Sequence, residues 1–151
     1  MTRDELARDL LDRIRRQIPL TAAMGLARLE IHDDRLVLSM PLGPNSNDKG
    51  TGFAGSLYSL CVLASWALVT AVLEEAGIRV PVVVASSTTD FRRPITLGEI
   101  TAVARLAGGA TREQLVSELR EKGTIKPTVE AVIEDAGKTF CRFQGTFAVR
   151  G

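Results

Sequence analysis

The chain has 151 residues, which suits one domain of ordinary size and is too short for two. Hydrophobic residues make up 45% and charged residues 25%, values that exclude a largely disordered chain. Lys and Arg total 19 against 18 Asp and Glu, and aromatic residues make up only 5%. Because a nucleic-acid-binding protein needs a basic surface or a stacking platform, we expect no nucleic-acid partner.

An amphipathic helix is predicted at the start of the chain, over about residues 1–18. Thr2 and Glu5 match a capping box, and Pro19 ends the helix. One apolar stripe follows at four-residue spacing: Leu6, Leu10, Ile14 and Ile18. The charged residues between them, Arg13 included, are expected to face solvent.

A hairpin is predicted next, with strands at about residues 29–31 and 36–40, followed by a loop at 41–49 rich in Pro, Gly and Asn. Residues 50–73 then carry no charge, and we predict a helix over about 55–76. Such a segment is long enough to span a bilayer. Its glycines and hydroxyl residues, and the absence of a flanking basic cluster, favour the buried centre of a globular fold instead.

The second half of the chain is predicted to be mainly strands, at about residues 80–93, 100–106, 129–133 and 141–149. A short helix interrupts them, opened by Thr111 and Gln114. In the first of these strands, alternation puts Ser86, Thr88 and Asp90 on one face. That face either lines a pocket beside the long helix or faces solvent.

This order of elements lacks the repeated βαβ units of a parallel sheet. It predicts an α+β domain over residues 1–151, with an antiparallel sheet wrapped around a long central helix, which is the hotdog fold. An exposed edge strand would be removed by pairing between two copies, so we expect a homodimer.

Residues 50–55 match the dinucleotide-binding pattern G-x-G-x-x-G. A nine-residue loop separates them from the preceding strand, so no nicotinamide or flavin cofactor is expected. The glycines still allow close approach to the backbone, and the N-terminus of the following helix offers free N–H groups to a ligand oxygen. The alternative is a glycine-rich turn that only permits tight packing.

The chain contains few residues that could form a catalytic dyad or a metal site. His32 is the only histidine and lies in a predicted turn, which disfavours Ser–His and Cys–His catalysis. Cys61 is predicted to be a core residue, and Trp66 a core residue or a pocket wall. Because Cys61 and Cys141 are far apart in sequence, we expect no metal, no disulfide and a cytoplasmic location.

Several segments together resemble a family of thioesterase-like hotdog proteins of the YiiD C-terminal type, whose members include malonyl-acyl carrier protein (malonyl-ACP) decarboxylases. The resemblance covers nearly all of the chain after the first helix. Family members commonly have Gly-Gly where this chain has Ala54-Gly55, a departure that is expected to narrow the backbone freedom at Ala54. The matching segments are PL at 19–20, MG at 24–25, PN at 44–45, KGT at 49–51, FAGSLYSL at 53–60, ASW at 64–66 and DFRRP at 90–94.

The resemblance implies either decarboxylation of malonyl-ACP to acetyl-ACP, which starts fatty acid synthesis, or hydrolysis of an acyl-ACP or acyl-CoA. Related thioesterases activate water with an acid on or near the central helix, and this helix has none between residues 50 and 73. Decarboxylation requires only orientation of the carboxylate and donors to the enolate oxygen, so it is favoured. A non-catalytic acyl-thioester binding protein is the remaining alternative.

In this hypothesis Asn45 donates its side-chain amide to the thioester carbonyl, together with the backbone N–H groups of Gly55 and Ser56. Thr51 and Tyr58 orient the departing carboxylate. As a loop residue, Asn45 is expected to contribute little to stability.

Four residues of the predicted strand at 80–93 complete the candidate site. Thr88 and Asp90 are candidates for lining the pocket, and Arg92 and Arg93 for attracting the carrier. With the acyl end near Asn45, the ligand is expected at the dimer interface.

Overall fold

The computed structural model describes all residues, 1–151, in four α-helices and seven β-strands. The helices are α1 (Arg3–Gln17), α2 (Thr21–Met24), α3 (Ala54–Glu75) and α4 (Arg112–Lys122). The strands are β1 (Arg28–Ile31), β2 (Leu36–Pro41), β3 (Val82–Phe91), β4 (Glu99–Leu106), β5 (Thr124–Ile125), β6 (Thr128–Asp135) and β7 (Lys138–Arg150). A single 3₁₀ turn spans Gly43–Asn45.

The predicted elements are confirmed to within a few residues. The capping boxes at Thr2 and Thr111 are both formed, because each threonine hydroxyl accepts from the backbone N–H three residues on. The sequence prediction missed three short elements: α2, the 3₁₀ turn and β5. Each is too short for a periodic pattern to develop.

The sheet is antiparallel throughout and has the strand order β1-β2-β4-β6-β7-β3, with β5 paired to β7 beside β6. Helix α3 packs against β2, β3, β4, β6 and β7. The central helix surrounded by an antiparallel sheet confirms the predicted hotdog fold. Strands β1 and β3 form the two edges, and β3 presents ten residues with no neighbour on its outer side.

Helix α3 is the centre of the hydrophobic core. It is long and apolar enough to cross a membrane, but 72% of its most apolar 18-residue window is buried inside the fold. One continuous cluster of buried apolar side chains runs from Leu6 in α1 to Val149 in β7. The uncharged sequence of the helix is therefore accounted for by burial against the sheet.

Arg13 in α1 corrects the expectation of a solvated charged face. Its side chain is only 6% exposed, and its two terminal nitrogens donate to both carboxylate oxygens of Glu74 at 2.7 and 2.9 Å. One of them also donates to Asp9 at 2.6 Å. The hydrogen bonds to Glu74 raise the pKa of Arg13 above its usual value. Sequence periodicity could not anticipate that α1 would lie against the acidic end of α3.

Gly145 in β7 makes room for two core rings. A β-carbon at this position would lie 2.6 Å from Cζ of Phe143 and 3.4 Å from Cε1 of Phe147. Both rings are fully buried, so neither can swing into solvent to relieve such a contact. The glycine is required here for close packing and not for an unusual backbone angle.

We predict that Gly145→Ala destabilises the fold by about 1–3 kcal/mol through overpacking. Gly98→Ala is the matched control, since a β-carbon there meets no atom within 4 Å. Urea denaturation of the two variants measures the difference. Equal midpoints for Gly145→Ala and the natural protein would contradict the packing argument.

Candidate functional site

Helix α3 begins without a side-chain cap. Phe53 occupies the N-cap position, with φ −70° and ψ 128°, and its side chain accepts no hydrogen bond. The backbone N–H groups of Ala54 and Gly55 have no acceptor in the protein. Because the positive end of the helix dipole is centred there, these two groups form a donor pair for an anionic oxygen.

The geometry corrects one of the predicted donors. The N–H of Ser56 donates to the carbonyl of Phe53 at 3.0 Å, as a tight first turn requires, so it is not free for a ligand. The N–H of Gly55 remains free, as that prediction requires, and the second free N–H belongs to Ala54 instead of Ser56. Ala54 is the first helical residue and has a negative φ, so the expected restriction of its backbone has no structural cost.

Phe53 also lies beside this donor pair and was missed by the sequence analysis. Its side chain is half exposed, and a β-carbon on Gly55 would lie 2.5 Å from Cε2 of its ring. The ring therefore rests on the glycine beside the free N–H groups. A signal was present in the sequence, since an aromatic residue at an N-cap position leaves the helix uncapped.

Asn45 has a structural role in place of its predicted role as a hydrogen-bond donor to the thioester carbonyl. Its side chain is 2% exposed, and its amide nitrogen donates to the carbonyls of Met24 and Pro41, both at 2.8 Å. The backbone carbonyl of Asn45 accepts from the N–H of Phe53 at 2.8 Å. Both amide protons are engaged, so Asn45 does not offer them to a ligand here. It joins α2 and the end of β2 to the start of α3.

The loop between Asn45 and α3 is braced from within by Asn47. The Asn47 side-chain oxygen accepts from the N–H groups of Lys49 and Thr51 at 2.9 and 3.1 Å. Its side-chain nitrogen donates to the Thr51 hydroxyl at 3.0 Å. Asn47 therefore stabilises the turn of this loop. Thr51 lies in the candidate site, with its hydroxyl already bonded within the loop.

Two glycines in this loop have different roles: one allows a left-handed backbone conformation, and the other allows the loop to pack closely against α3. Gly50 has a φ of 76°, in the left-handed region. Gly52 donates its N–H to the carbonyl of Ile95 at 2.9 Å, and a β-carbon there would lie 3.2 Å from the Leu57 side chain. The loop is thereby held against both α3 and the segment that follows β3.

Tyr58 lies one turn inside α3 and faces β3. Its hydroxyl is 3.1 Å from that of Ser87, and its ring packs edge-on against Phe143 with 5.8 Å between centroids. Helix α3 and the edge strand are therefore linked close to the free N–H groups. The sequence placed Tyr58 correctly beside the helix start but did not identify Ser87 as its partner.

Thr88 and Asp90 lie on the other face of β3, which corrects their predicted place in a pocket beside the helix. Pairing with β7 sets Thr89 opposite the buried Phe143, so Ser87 and Thr89 face α3. Thr88 and Asp90 therefore point to the outer, exposed face. The predicted alternation was right, but the register with β7 selects the opposite face.

Arg92 and Arg93 follow β3 and are exposed. The N–H of Arg92 donates to the carbonyl of Phe140 at 2.8 Å, and its guanidinium lies 3.8 Å from Asp90. Since Ile95 bonds to Gly52, the arginine segment is carried towards the glycine loop. The two cationic side chains are thus on the same side of the fold as the α3 N-terminus.

His32 and the two cysteines lie outside the candidate site. His32 is a partly exposed turn residue next to Glu30, as predicted. Cys61 is a fully buried core residue, and the neighbouring Cys141 thiol together with burial raises the pKa of its own thiol. The fold brings together two cysteines that are distant in sequence, and both remain as free thiols.

The larger clefts lie elsewhere on the surface. One of them, of about 680 Å³, lies between the C-terminal end of α3 and α4, where Glu75 and Arg112 form an ion pair of 2.9 Å. The α3 N-terminus itself lies open beside the unpaired edge strand β3. The hotdog architecture, the free N–H groups of the uncapped central helix and the nearby cationic segment together suit a hotdog protein that acts on acyl thioesters.

Comparison with known proteins agrees with that class. Residues 7–151 match the family described as "Putative thioesterase (yiiD_Cterm)", and the chain belongs to this family.

Solved structures of similar proteins share the fold over nearly their full length. A protein of unknown function from Chlorobaculum tepidum is 28% identical with a TM-score of 0.88, covering 99% of this chain and 96% of its own. A protein from Shewanella oneidensis described as a "putative thioesterase" is 26% identical with a TM-score of 0.87, covering 98% of this chain and 99% of its own. A Pseudomonas aeruginosa protein of unknown function is 28% identical with a TM-score of 0.77, covering 97% and 95%.

Replacing Asn45 is predicted to destabilise the fold, contrary to the expectation from sequence. Asn45→Ala leaves two carbonyls without their donor and should lower the free energy of unfolding by about 2 kcal/mol. Asn45→Asp should cost at least as much, because a carboxylate would face the same two carbonyl oxygens. Ser46→Ala, at the exposed neighbouring residue, is the control. Thermal and urea unfolding report the outcome, and an unchanged midpoint for Asn45→Ala would refute the anchoring role.

Proposed function

We propose that this protein decarboxylates a malonyl group carried as a thioester on acyl carrier protein, giving acetyl-ACP as a primer for fatty acid synthesis. The observation that carries the proposal is the pair of free N–H groups at Ala54 and Gly55. They lie at the positive end of a 22-residue helix, where a developing negative charge is stabilised without any titrating group.

The reaction makes limited demands on the protein. The bond between the α-carbon and the carboxylate breaks, carbon dioxide leaves, and the electron pair moves onto the thioester oxygen as an enolate. The α-carbon then takes a proton from water to give the acetyl group. Ala54 and Gly55 donate to the enolate oxygen, while the hydroxyl of Tyr58 orients the carboxylate before it leaves.

The distribution of acidic residues supports decarboxylation over hydrolysis. The first acid on α3 is Glu74, about 30 Å along the helix from Ala54 at 1.5 Å per residue. Asp48 is 81% exposed and lies 3.4 Å from Lys49, and Asp90 faces outward from the sheet. A water-activating thioesterase needs a carboxylate beside the thioester carbonyl, and both of these aspartate side chains are exposed to solvent instead.

Thioester hydrolysis is the second candidate, and the description of the family favours it. It would give free carrier or coenzyme A and a carboxylic acid. A non-catalytic acyl-thioester binding protein would use the same donors without turnover. Mass analysis after incubation with malonyl-ACP, and separately with acetyl-ACP, distinguishes the three. Acetyl-ACP from malonyl-ACP alone supports the proposal, free carrier supports hydrolysis, and unchanged substrates support binding.

The carrier is proposed to approach from the side of Arg92 and Arg93. Both side chains are exposed, and the Ile95–Gly52 hydrogen bond connects their segment to the loop before α3. Guanidinium groups suit the phosphate of a pantetheine arm or acidic residues of the carrier.

A homodimer formed through β3 completes this proposal. The strand has an unpaired edge of ten residues, and Val83 and Phe91 are 58% and 50% exposed. Pairing of two copies would satisfy that edge and place each α3 N-terminus beside the partner. The free thiols of the core suit a reducing compartment, and we place the reaction in the cytoplasm.

Ala54→Pro tests the donor role, because proline removes one N–H group without breaking the helix. Proline is favoured at the first helical position, and the extended backbone of Phe53 accommodates it. Turnover of malonyl-ACP should fall by about 10² to 10³ while the unfolding midpoint is kept. Ala54→Gly and Ala54→Val retain the N–H group and serve as controls for flexibility and bulk. If Ala54→Pro turned over malonyl-ACP as fast as the natural protein, the donor role of the Ala54 N–H group would be contradicted.

A charged residue on the free edge tests the dimer. Val83→Lys places an ammonium group where two strands would pair, and should convert the dimer to a monomer. Light scattering coupled to size exclusion measures the mass. Arg105→Lys, at an exposed position in the interior strand β4, is the control. A natural protein that is already monomeric would overturn the assembly part of the proposal.

A further inference from the structure

A pair of hydroxyl groups lies between α3 and the edge strand β3, one helical turn from the free N–H groups. The Tyr58 hydroxyl on α3 and the Ser87 hydroxyl on β3 are 3.1 Å apart. Both residues are partly exposed, and the hydrogen bond between them is only partly buried. The pair therefore borders the space in which a ligand of the candidate site would lie. 

One proton of this hydroxyl pair is not used within the protein. Each hydroxyl carries one hydrogen, and the bond between Tyr58 and Ser87 consumes one of the two. Neither hydroxyl makes another hydrogen bond to the protein. Because a partly buried donor is stabilised by an acceptor, the remaining proton is available to a ligand.

An anionic ligand favours one of the two directions in which the pair can be bonded. A phenol is more acidic than an aliphatic alcohol, so Tyr58 is the stronger donor to an anion. When Ser87 donates to the Tyr58 oxygen, the Tyr58 O–H is free to turn towards the ligand. The bond from Ser87 also polarises that O–H and strengthens it as a donor. Ser87 thereby sets the direction of a proton that it does not itself deliver.

Helix geometry places Tyr58 next to the free N–H groups. Residues three and four apart share a helix face, and side chains lean towards the helix N-terminus. Tyr58 therefore leans over the turn that carries Ala54 and Gly55. Its ring is held in place by edge-on packing on the fully buried Phe143, with 5.8 Å between centroids.

This arrangement suits an acyl group that carries a second acid close to its thioester. When the thioester oxygen accepts from Ala54 and Gly55, the carboxylate of a malonyl group is only two bonds from the carbonyl carbon and comes within reach of Tyr58. An uncharged hydroxyl donor also suits a carboxylate that must leave as carbon dioxide. A strong ion pair would stabilise the substrate more than the transition state.

We propose that Ser87 is a positioning residue that directs the Tyr58 proton onto the free carboxylate of a malonyl thioester, and so selects malonyl over uncharged acyl groups such as acetyl. This role rests on the proposed function and adds the basis of its selectivity. An acetyl thioester has no acceptor for the proton, so its binding gains nothing from Ser87.

Two stable analogues test this role by binding alone. The probes are acyl carrier protein bearing a malonyl or an acetyl group on a pantetheine arm whose sulfur is replaced by NH, and calorimetry gives both dissociation constants. Ser87→Ala should weaken binding of the malonyl analogue about fivefold and leave that of the acetyl analogue unchanged. Ser87→Thr keeps a hydroxyl and should restore malonyl binding. Ser86→Ala, the matched change on the outer face of β3, should alter neither.

A double-mutant cycle tests whether Ser87 acts through Tyr58. In a Tyr58→Phe background, Ser87→Ala should have no further effect on binding of the malonyl analogue. Additive losses would overturn the proposal, and so would a Ser87→Ala variant that loses affinity for both analogues equally, since that result indicates a purely structural role.

Failure of this role and failure of the proposed function give different results. If the natural protein prefers the malonyl analogue and Ser87→Ala keeps that preference, only the role of Ser87 is overturned. If the natural protein binds both analogues equally, malonyl selectivity is absent and the proposed function is overturned with it. Release of free carrier from malonyl-ACP would overturn decarboxylation, whereas a lost malonyl preference in Ser87→Ala would still support the contact with the carboxylate.

Discussion

The position of the central helix depends on one buried amide. The side-chain amide of Asn45 donates to the carbonyls of Met24 and Pro41, and the backbone carbonyl of the same residue accepts from the N–H of Phe53. Asn45 thus connects three segments that are not adjacent in sequence. Buried carbonyls need donors, and a single asparagine satisfies two of them here. The start of α3 is consequently fixed relative to the sheet by hydrogen bonds as well as by packing.

The two ends of α3 differ in chemistry. The N-terminal end offers uncommitted backbone donors and no nearby acid on the helix, whereas the C-terminal end carries Glu74 and Glu75 in ion pairs with arginines from α1 and α4. Between them the helix is uncharged and packed against five strands. The two ends can differ in this way because the sheet covers only the middle of the long apolar helix. Both ends of the helix stay accessible to polar groups.

Much of the fold could be predicted from the sequence, because long periodic segments and capping boxes are local signals. The hydrophobic run of α3, the capping box at Thr2 and the alternation in the strands all led to the observed elements. The site was harder to predict, since its details depend on tertiary contacts. The burial of Asn45, the face of β3 that Thr88 occupies and the pairing of Arg13 with Glu74 are set by segments distant in sequence.

The uncapped start of α3 implies a compromise between stability and function. Helices α1 and α4 both begin with complete capping boxes, but the longest helix begins with Phe53. A serine or aspartate at that position would add about 1 kcal/mol of helix stability by accepting from the first free N–H groups. It would also occupy the donors that the proposed reaction uses. A search for thermostable variants would therefore select, at this one position, a protein that folds better and no longer turns over its substrate.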